Sequence, residues 1–464
     1  MTPFFIRRRC NRSLFMMAVA LIPALSLAQP AAAQTVDFVS GASVSDFACP
    51  NAPRRAPKPR THGLAGGTDM PTEDELGALL AAPAIHAQPP IDLDENPGFD
   101  IRNAAQTHRI AFWGDSHIAA GPFMTTIKNT LLAQGISVGA HFLPPSMGRA
   151  NIRLPELRAY CVGNAWLADV AFTSPTVLQT GPALINRVAT AAPDSYFWLD
   201  LRDAKRQAVV RQLQISYRAP AGGTISIAVN DGPENRVALT PSNESRTLTL
   251  RGDALISTVK MRLTQGQMTL HGFIIDHAQP PDVTLDVFGL PSATAHGWAN
   301  IDTGYLASTL QGASYDGVVL EYGTNEGNTR HFDPDKYADG LTQALTNMRA
   351  VFPQASCLLV GPPDRGLLVT RSSRKKHGSG NRVTYDFLMY SQIHQKIEAI
   401  QRHVGERFNC AAWNWQALMG GEGGSYGWAR AKPALMGHDL THLSGEGYKR
   451  TGEALARSLG WGKP

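Results

Sequence analysis

The sequence predicts an α/β fold, a three-layer sandwich of helices around a parallel sheet, with an inserted antiparallel β domain. Two observations lead to this fold class. Short apolar strand-like runs alternate with helical stripes in two separate parts of the chain, which is the arrangement that gives parallel sheets. Between those parts, short alternating strands are separated by Gly and Asn-Asp-Gly turns, which is typical of antiparallel β structure.

The chain is divided into five segments on this basis. They are a targeting segment (1–33), a Pro-rich lead-in (34–106), a first α/β part (107–149), an inserted β-sandwich-like module (150–285) and a second α/β part (286–464). A length of 464 residues fits more than one domain, and 43% hydrophobic residues can form a sizeable core. The net charge of +5 is small for this length, so no nucleic-acid partner is expected.

The first 33 residues have the pattern of a bacterial secretory signal. Four arginines between residues 7 and 12 precede an apolar run at 13–27, and the alanines at 31–33 offer a cleavage site. The apolar run is short and is interrupted by Pro23, which disfavours a membrane span. An uncleaved N-terminal anchor is the alternative. We therefore expect a periplasmic or secreted mature chain without an integral membrane span.

Four cysteines, Cys49, Cys161, Cys357 and Cys410, lie beyond the targeting segment. In an oxidising compartment they can form two disulfides. Cys357 and Cys410 both lie in strand-like runs and are one candidate pair, and free buried cysteines are the alternative. No C-x-x-C motif occurs, so zinc and thioredoxin-type chemistry have no support. No metal or cofactor is expected.

The lead-in is expected to be mostly irregular, because residues 50–60 are Pro-rich and basic. One short helix is predicted after Pro71, where Thr72 and three acidic residues suit a helix N-terminus. In the first α/β part, RIAFWG (109–114) predicts a strand and is followed by a helix. That helix has its apolar stripe at Phe123, Ile127 and Leu131.

The second α/β part contains three further strand-like runs: DGVVLEYG (316–323), SCLLVG (356–361) and FNCAAWNW (408–415). Helical stripes lie between them, and Ser444 can cap a last helix. Because binding and catalytic sites in parallel sheets lie at the carboxyl ends of the strands, the polar residues at those ends are the candidates.

Three short polar segments lie at such positions. GDSH (114–117) and GTNE (323–326) each follow a strand, and DLTH (439–442) precedes the last helix. A serine hydroxyl needs an adjacent base to act as a nucleophile, and a histidine oriented by a carboxylate is a suitable base. Asp439 and His442 are three residues apart, so both can lie on one side of a turn.

Acyl transfer also needs hydrogen-bond donors directed at the oxyanion. The backbone N–H of Ser116 and the side chain of Asn325 are candidates. Taken singly, these signals are weak, since Ser116 and His442 can also be helix-capping residues and Asn325 can be a turn residue. The conjunction of three segments at strand and helix ends favours the catalytic interpretation.

The order GDS, GTN and D-x-x-H resembles that of the SGNH (GDSL-like) hydrolases, over roughly residues 107–145 and 286–460. The resemblance implies a flavodoxin-like α/β/α sandwich and ester cleavage. More narrowly, GDSH, YGTNE and DLTHLSGEGY around an inserted β-module resemble the peptidoglycan O-acetylesterase subgroup. Those exported enzymes remove acetyl groups from the C6 hydroxyl of N-acetylmuramic acid.

Carried over to this sequence, the resemblance implies that Ser116 is the nucleophile, His442 the general base and Asp439 its orienting carboxylate. It implies that Asn325 is an oxyanion donor.

The family's remaining donor is a glycine backbone N–H after another strand, and Gly-Leu-Pro-Ser-Ala (289–293) is the corresponding stretch here. Ser292 then occupies the glycine position. Serine tolerates fewer backbone conformations than glycine, and Gly289 is the fallback.

The expected function is that of an exported serine esterase acting on an acetylated glycan, peptidoglycan first and a secreted exopolysaccharide second. An O-acetyltransferase with the same residues is the first alternative, and a non-catalytic glycan-binding or matrix-assembly protein is the second. The oligomeric state and the role of the β-module are left open.

Three further features are interpreted without a catalytic role. His117 is expected to be structural, and the basic stretch 371–382 to be a solvated loop rather than a contact for an anionic polymer. Four tryptophans are left unassigned, because tryptophan is usually a packing residue. They are Trp298, Trp413, Trp415 and Trp428.

Overall fold

The computed structural model describes residues 33–41, 47–50, 68–77, 98–102, 106–370 and 385–462. The predicted targeting segment, apart from Ala33, lies outside these described residues, as does the basic stretch 371–382. The short helix predicted after Pro71 is confirmed, and Thr72 caps it by accepting a hydrogen bond from the Glu75 backbone N–H at 3.3 Å.

The described residues form strands and helices with the following bounds. The strands are β1 (Gln34–Phe38), β2 (Thr68–Asp69), β3 (His108–Gly114), β4 (Val138–Gly139), β5 (Phe142–Leu143), β6 (Ala159–Val162), β7 (Leu167–Val170), β8 (Ile185–Thr190), β9 (Tyr196–Asp200), β10 (Val210–Ala219), β11 (Gly223–Val229), β12 (Asn235–Leu239), β13 (Ser242–Ile256), β14 (Thr258–His277), β15 (Val283–Gly289), β16 (Gly317–Glu321), β17 (Ser356–Val360), β18 (Val369–Thr370) and β19 (Cys410–Trp413). The helices are α1 (Glu73–Leu76), α2 (Ser116–Ala119), α3 (Pro122–Leu132), α4 (His296–Ala299), α5 (Thr303–Thr309), α6 (Pro334–Val351), α7 (Met389–Glu406), α8 (Trp415–Leu418), α9 (Gly424–Arg430) and α10 (Gly445–Ser458).

Six strands form a parallel sheet in the order β19-β17-β16-β3-β15-β4. Without the two-residue edge strand β4, this is the flavodoxin-like order 2-1-3-4-5. The order reverses between β3 and β16, whose residues pair from Gly317–Ile110 to Glu321–Gly114. In open parallel sheets, such a reversal point is where a crevice forms outside the carboxyl ends of the strands.

Helices cover both faces of this sheet, because its strands alternate their side chains between two apolar clusters. On β3, Ile110 and Phe112 join one cluster with the predicted stripe of α3, while Ala111 and Trp113 join the other with α6 and α7. This two-sided burial produces the predicted three-layer sandwich.

The inserted β structure is antiparallel, as predicted. The long strand β14 pairs with β10 over one half of its length and with β11 over the other. Its apolar residues share a core with the Trp113 face of the parallel sheet.

Two observed bounds differ from the predicted segments. Residues 34–38 of the predicted lead-in form β1, which pairs in parallel with β13 and buries Phe38. Residues 283–285, placed by the sequence in the inserted module, belong to β15 of the parallel sheet. β15 is buried along its whole length. Its sequence VTLDVFG therefore lacks the alternation of apolar and polar residues that marks the preceding antiparallel strands.

Two disulfides connect the described residues. Cys357–Cys410, the predicted pair, joins residues that are register partners on the neighbouring strands β17 and β19. Cys49–Cys161 ties the segment 47–50 to β6. Within the described parts of the chain, every helix is too short or too polar to span a lipid bilayer.

Candidate active site

The turn between β3 and α2 places Ser116 at the carboxyl end of the sheet. Asp115 caps α2 by accepting a hydrogen bond from the His117 backbone N–H at 2.8 Å. Gly114 allows this tight turn, since a Cβ there would lie 2.4 Å from the Ile118 side chain and 2.7 Å from the Glu321 carboxylate. Ser116 is therefore the first residue of α2, and it remains partly accessible to solvent.

Ser116, His442 and Asp439 form a continuous hydrogen-bonded relay. Ser116 Oγ lies 2.9 Å from His442 Nε2, and His442 Nδ1 lies 2.6 Å from Asp439 Oδ2. With the proton on Nδ1, the imidazole donates to the carboxylate and its Nε2 can accept the serine proton. The structure thus brings Ser116 against the Asp439–His442 pair, which lies more than 300 residues later in the sequence.

The turn that contains Asp439 is held by the backbone. Asp439 Oδ1 accepts hydrogen bonds from the backbone N–H groups of Thr441 (3.0 Å) and His442 (2.9 Å). Leu440, which lies between Asp439 and Thr441, has a left-handed backbone with φ of 51° and a fully buried side chain. Such a conformation is strained for a bulky residue, and burial of the leucine side chain opposes that strain. The local sequence gives no sign of this conformation at Leu440.

The relay shifts the pKa of both ionisable partners. The hydrogen bond to Asp439 raises the pKa of His442 above its ordinary value, although burial opposes this effect. Burial disfavours the charged form of Asp439, but the hydrogen bonds from His442 and Thr441 outweigh it and hold the pKa of Asp439 well below its usual range. Asp439 is thus a carboxylate at neutral pH.

Asn325 lies beside the Ser116 turn, but both of its amide hydrogens are engaged. Its Nδ2 donates to Ala293 O at 2.9 Å and to Asp115 Oδ2 at 3.2 Å. An amide nitrogen has two hydrogens. For Asn325 to donate to an oxyanion, one of these two hydrogen bonds must therefore be exchanged.

Ser292 lies in a tight turn after β15. The Ala293 N–H donates to Leu290 O at 3.0 Å, Pro291 is the second residue of the turn, and Ser292 is the third, with φ of 66°. A type II turn requires this positive φ at its third residue, which explains why a glycine is favoured there. Among the described residues, the backbone N–H of Ser292 has no hydrogen-bond acceptor.

Gly289, the fallback donor, is the last residue of β15 and lies against α2. A Cβ at this position would be 2.3 Å from Ala119 N and 2.6 Å from Ala119 Cα. Close packing between the strand and the helix that carries Ser116 therefore requires a glycine here.

A group of buried acids lies beneath Ser116, and the sequence analysis missed it. The carboxyl of Glu321 accepts the Asp115 N–H at 3.2 Å, and both side chains are fully buried. Burial and the neighbouring Asp115 raise the pKa of Glu321 well above its ordinary value, which favours the protonated form of this carboxyl. The signal available in the sequence was an acidic residue at the end of an otherwise apolar strand.

His117 is fully buried next to these acids, and its Nδ1 lies 3.0 Å from the Tyr448 hydroxyl. Burial lowers the pKa of His117 to about 3, so the imidazole is neutral. Potential metal-ligating atoms of Asp115, His117 and Glu321 lie within 4.8 Å of one another. The raised pKa of Glu321 favours its neutral form, which lessens the repulsion between the two carboxyls at this close approach.

The unassigned tryptophans prove to be packing residues. Each is at most 6% exposed, which leaves no face for a sugar to stack on. The four are Trp298, Trp413, Trp415 and Trp428.

Comparison with known proteins supports the fold. A solved peptidoglycan O-acetylesterase superposes with a TM-score of 0.58 and 19% identity, over 79% of this chain and 94% of that one. The predicted α/β/α sandwich fold is confirmed. At this level of identity, the likeness extends to the fold alone.

Two further solved structures align over smaller parts of this chain. A family two carbohydrate esterase from Clostridium thermocellum aligns with a TM-score of 0.26 and 9% identity over 65% of this chain and 100% of that one. A GDSL-like lipase from Parabacteroides merdae aligns with a TM-score of 0.28 and 11% identity over 39% of this chain and 74% of that one. Neither superposition is close enough to carry an argument. No family model and no curated protein matches the sequence.

Proposed function

We propose that this protein is an exported serine esterase that removes O-acetyl groups from a polysaccharide. The observation that carries the proposal is the relay from Ser116 Oγ through His442 to Asp439, with distances of 2.9 and 2.6 Å. A nucleophile hydrogen-bonded to a base, which is itself oriented by a carboxylate, is the arrangement that acyl transfer to serine needs.

In the proposed reaction, Ser116 Oγ attacks the acetyl carbonyl carbon while His442 Nε2 takes the hydroxyl proton. His442 then gives this proton to the departing sugar oxygen, and the acetyl group stays on Ser116. Water attacks the acetyl carbon, passes a proton to His442, and acetate leaves as the serine hydroxyl is restored. Asp439 remains ionised throughout and stabilises the imidazolium that forms twice in each cycle.

The oxyanion is assigned to three donors: the backbone N–H groups of Ser116 and Ser292 and the side chain of Asn325. The free N–H of Ser292 among the described residues supports its place in this set. Asn325 would have to exchange its bond to Ala293 O or Asp115 for one to the oxyanion. The oxyanion site would then be completed only when substrate binds.

Peptidoglycan is the first proposed substrate, and a secreted exopolysaccharide is the second. The fold likeness to a peptidoglycan O-acetylesterase supports the first choice. The side chains of His442 and Asp439 are 47% and 52% exposed, an openness that suits an ester group on a long polymer. Two disulfides support export to an oxidising compartment, with residues 1–33 as the signal peptide.

Acetate release from O-acetylated peptidoglycan and from an acetylated exopolysaccharide, measured with wild type and Ser116→Ala, tests the proposal. We expect release by the wild type and a loss of about 10³-fold or more in the variant, because the nucleophile is removed. Equal release by both proteins would contradict the serine mechanism. Transfer of acetyl to an added glycan, without net acetate release, would instead identify an acetyltransferase. Glycan binding without either reaction would identify a non-catalytic protein.

A further inference from the structure

Glu326 connects the two loops that are proposed to supply oxyanion donors. Its Oε1 accepts the Ala295 backbone N–H at 2.9 Å, and its Oε2 accepts the Gly323 backbone N–H at 3.1 Å. Ala295 follows the β15 turn that contains Ser292, whereas Gly323 begins the loop after β16 that contains Asn325. One carboxylate therefore fixes the distance between these two loops.

The same loops have a second connection, the hydrogen bond from Asn325 Nδ2 to Ala293 O. This bond is one of the two that Asn325 can give up to donate to an oxyanion. When Asn325 exchanges this hydrogen bond for one to the oxyanion, the loop after β15 loses its connection to Asn325. The backbone N–H of Ser292 must be in position at the same moment, because it is proposed to bind the same oxyanion. The hydrogen bonds of Glu326 use no donor of the oxyanion site, so they can persist through the reaction.

We propose that Glu326 is a positioning residue that holds the Ser292 loop and the Asn325 loop in register as the oxyanion forms. This inference rests on the proposed esterase function. Glu326 touches neither the substrate nor the reacting atoms, and acts through the backbone at Ala295 and Gly323. Burial raises the pKa of Glu326 to about 7, against the effect of its two backbone hydrogen bonds. These donors are thus what stabilises its charged form.

Glu326→Gln is the sharpest substitution, because it keeps the shape of the side chain but has only one oxygen acceptor. Its amide nitrogen would face one of the two backbone N–H groups, so one connection is lost. Errors of about 1 Å in a catalytic geometry can cost roughly 10²-fold in rate. We expect kcat to fall about 10- to 100-fold with KM changed less than about twofold, because the proposed oxyanion donors that Glu326 positions act only in the transition state.

Asp286→Asn is the matched control. Asp286 is a fully buried carboxyl that, like Glu326, accepts two backbone N–H groups, but those of His141 (2.7 Å) and Phe142 (2.9 Å) belong to no proposed donor loop. We expect Asp286→Asn to lower the melting temperature and leave kcat within about twofold of wild type. If the two variants lose the same stability and also the same kcat, the positioning role of Glu326 is wrong.

Amide hydrogen exchange gives a readout that does not depend on activity. In Glu326→Gln, peptides covering 290–295 and 322–326 should exchange faster than in wild type, while the same peptides in Asp286→Asn should not. Unchanged exchange in both peptides would overturn the inference, whatever the esterase assay shows. If wild type is active, Ser116→Ala is inactive and Glu326→Gln matches wild type, the proposed function stands and the inference about Glu326 is wrong.

Discussion

His442 and Asp439 are coupled closely enough for a single substitution to change the pH dependence of the reaction. As the proposed general base, His442 works only when it is neutral, so the proposed activity should fall as the pH drops through its pKa. The hydrogen bond to Asp439 raises this pKa. The acidic limb of the pH profile should therefore lie above the ordinary pKa of histidine.

Asp439→Asn removes the carboxylate that raises the pKa of His442, so the acidic limb should move to lower pH. We also expect kcat to fall by roughly 10³- to 10⁴-fold, because the amide no longer selects the correct tautomer. Profiles of kcat/KM against pH for the two proteins would measure both effects. Asp333→Asn at the start of α6 is the control, because asparagine also caps helices. An acidic limb that stays in place would show that Asp439 does not set the pKa of His442.

At the residue level, the sequence predicted the members of the hydrogen-bonded relay but not the hydrogen bonds of the proposed oxyanion donors. GDSH, GTNE and DLTH stand out because each combines reactive residue types at the end of a regular element. The two hydrogen bonds of Asn325, the buried acid Glu321 and the left-handed Leu440 depend on partners brought close only by folding. No local pattern encodes such partners, so reasoning from the sequence could not find them.

At the level of elements, the packing of α2 against β15 determines where Ser116 lies. Gly289→Ala would place a Cβ 2.3 Å from Ala119 N, and backbone atoms cannot yield as a flexible side chain can. We expect the free energy of unfolding to fall by about 1–3 kcal/mol. Since the displaced helix begins at Ser116, kcat should fall too.

Chemical denaturation and acetate release would check the effect of Gly289→Ala. Gly340→Ala is the matched control, because Gly340 lies within α6 and a Cβ there would meet no neighbouring atom of the described residues within 4 Å. That substitution should raise stability by about 0.5–1 kcal/mol through helix propensity. If Gly289→Ala were as harmless as the control, the close strand–helix contact would not position Ser116.

The strands and helices were largely predictable, because apolar periodicity carries their signal. The stripe of α3, the runs of β16 and β17 and the Ser444 cap are all observed. The segment bounds were less accurate, since residues 283–285 of the predicted module belong to β15 and residues 34–38 of the predicted lead-in form β1. β1 was not predicted as a strand, because its five residues are too few to show a clear alternation of apolar and polar side chains. Its partner β13 lies far away in the sequence.

At the level of the whole molecule, the Cys357–Cys410 disulfide links two strands of the parallel sheet. The two cysteines are 53 residues apart in the sequence. Replacing both cysteines with alanine should lower the free energy of unfolding by about 2–5 kcal/mol, because the unfolded chain regains conformational freedom. Thermal melting of wild type and the double variant, each with and without a reducing agent, measures this effect. An unchanged melting temperature in the oxidised double variant would show that the disulfide adds nothing to stability.

The pairing of β1 with β13 also has a consequence for the order in which the protein can form. Gln34 is the register partner of Leu248, so one of the first described residues completes its hydrogen bonds only with a strand made much later. If the chain is exported from its N-terminus, β1 crosses the membrane before β13 and has no strand to pair with until β13 follows. β1 can then pair only after β13 has followed it, and a tag fused directly before Gln34 would extend from the edge of that sheet.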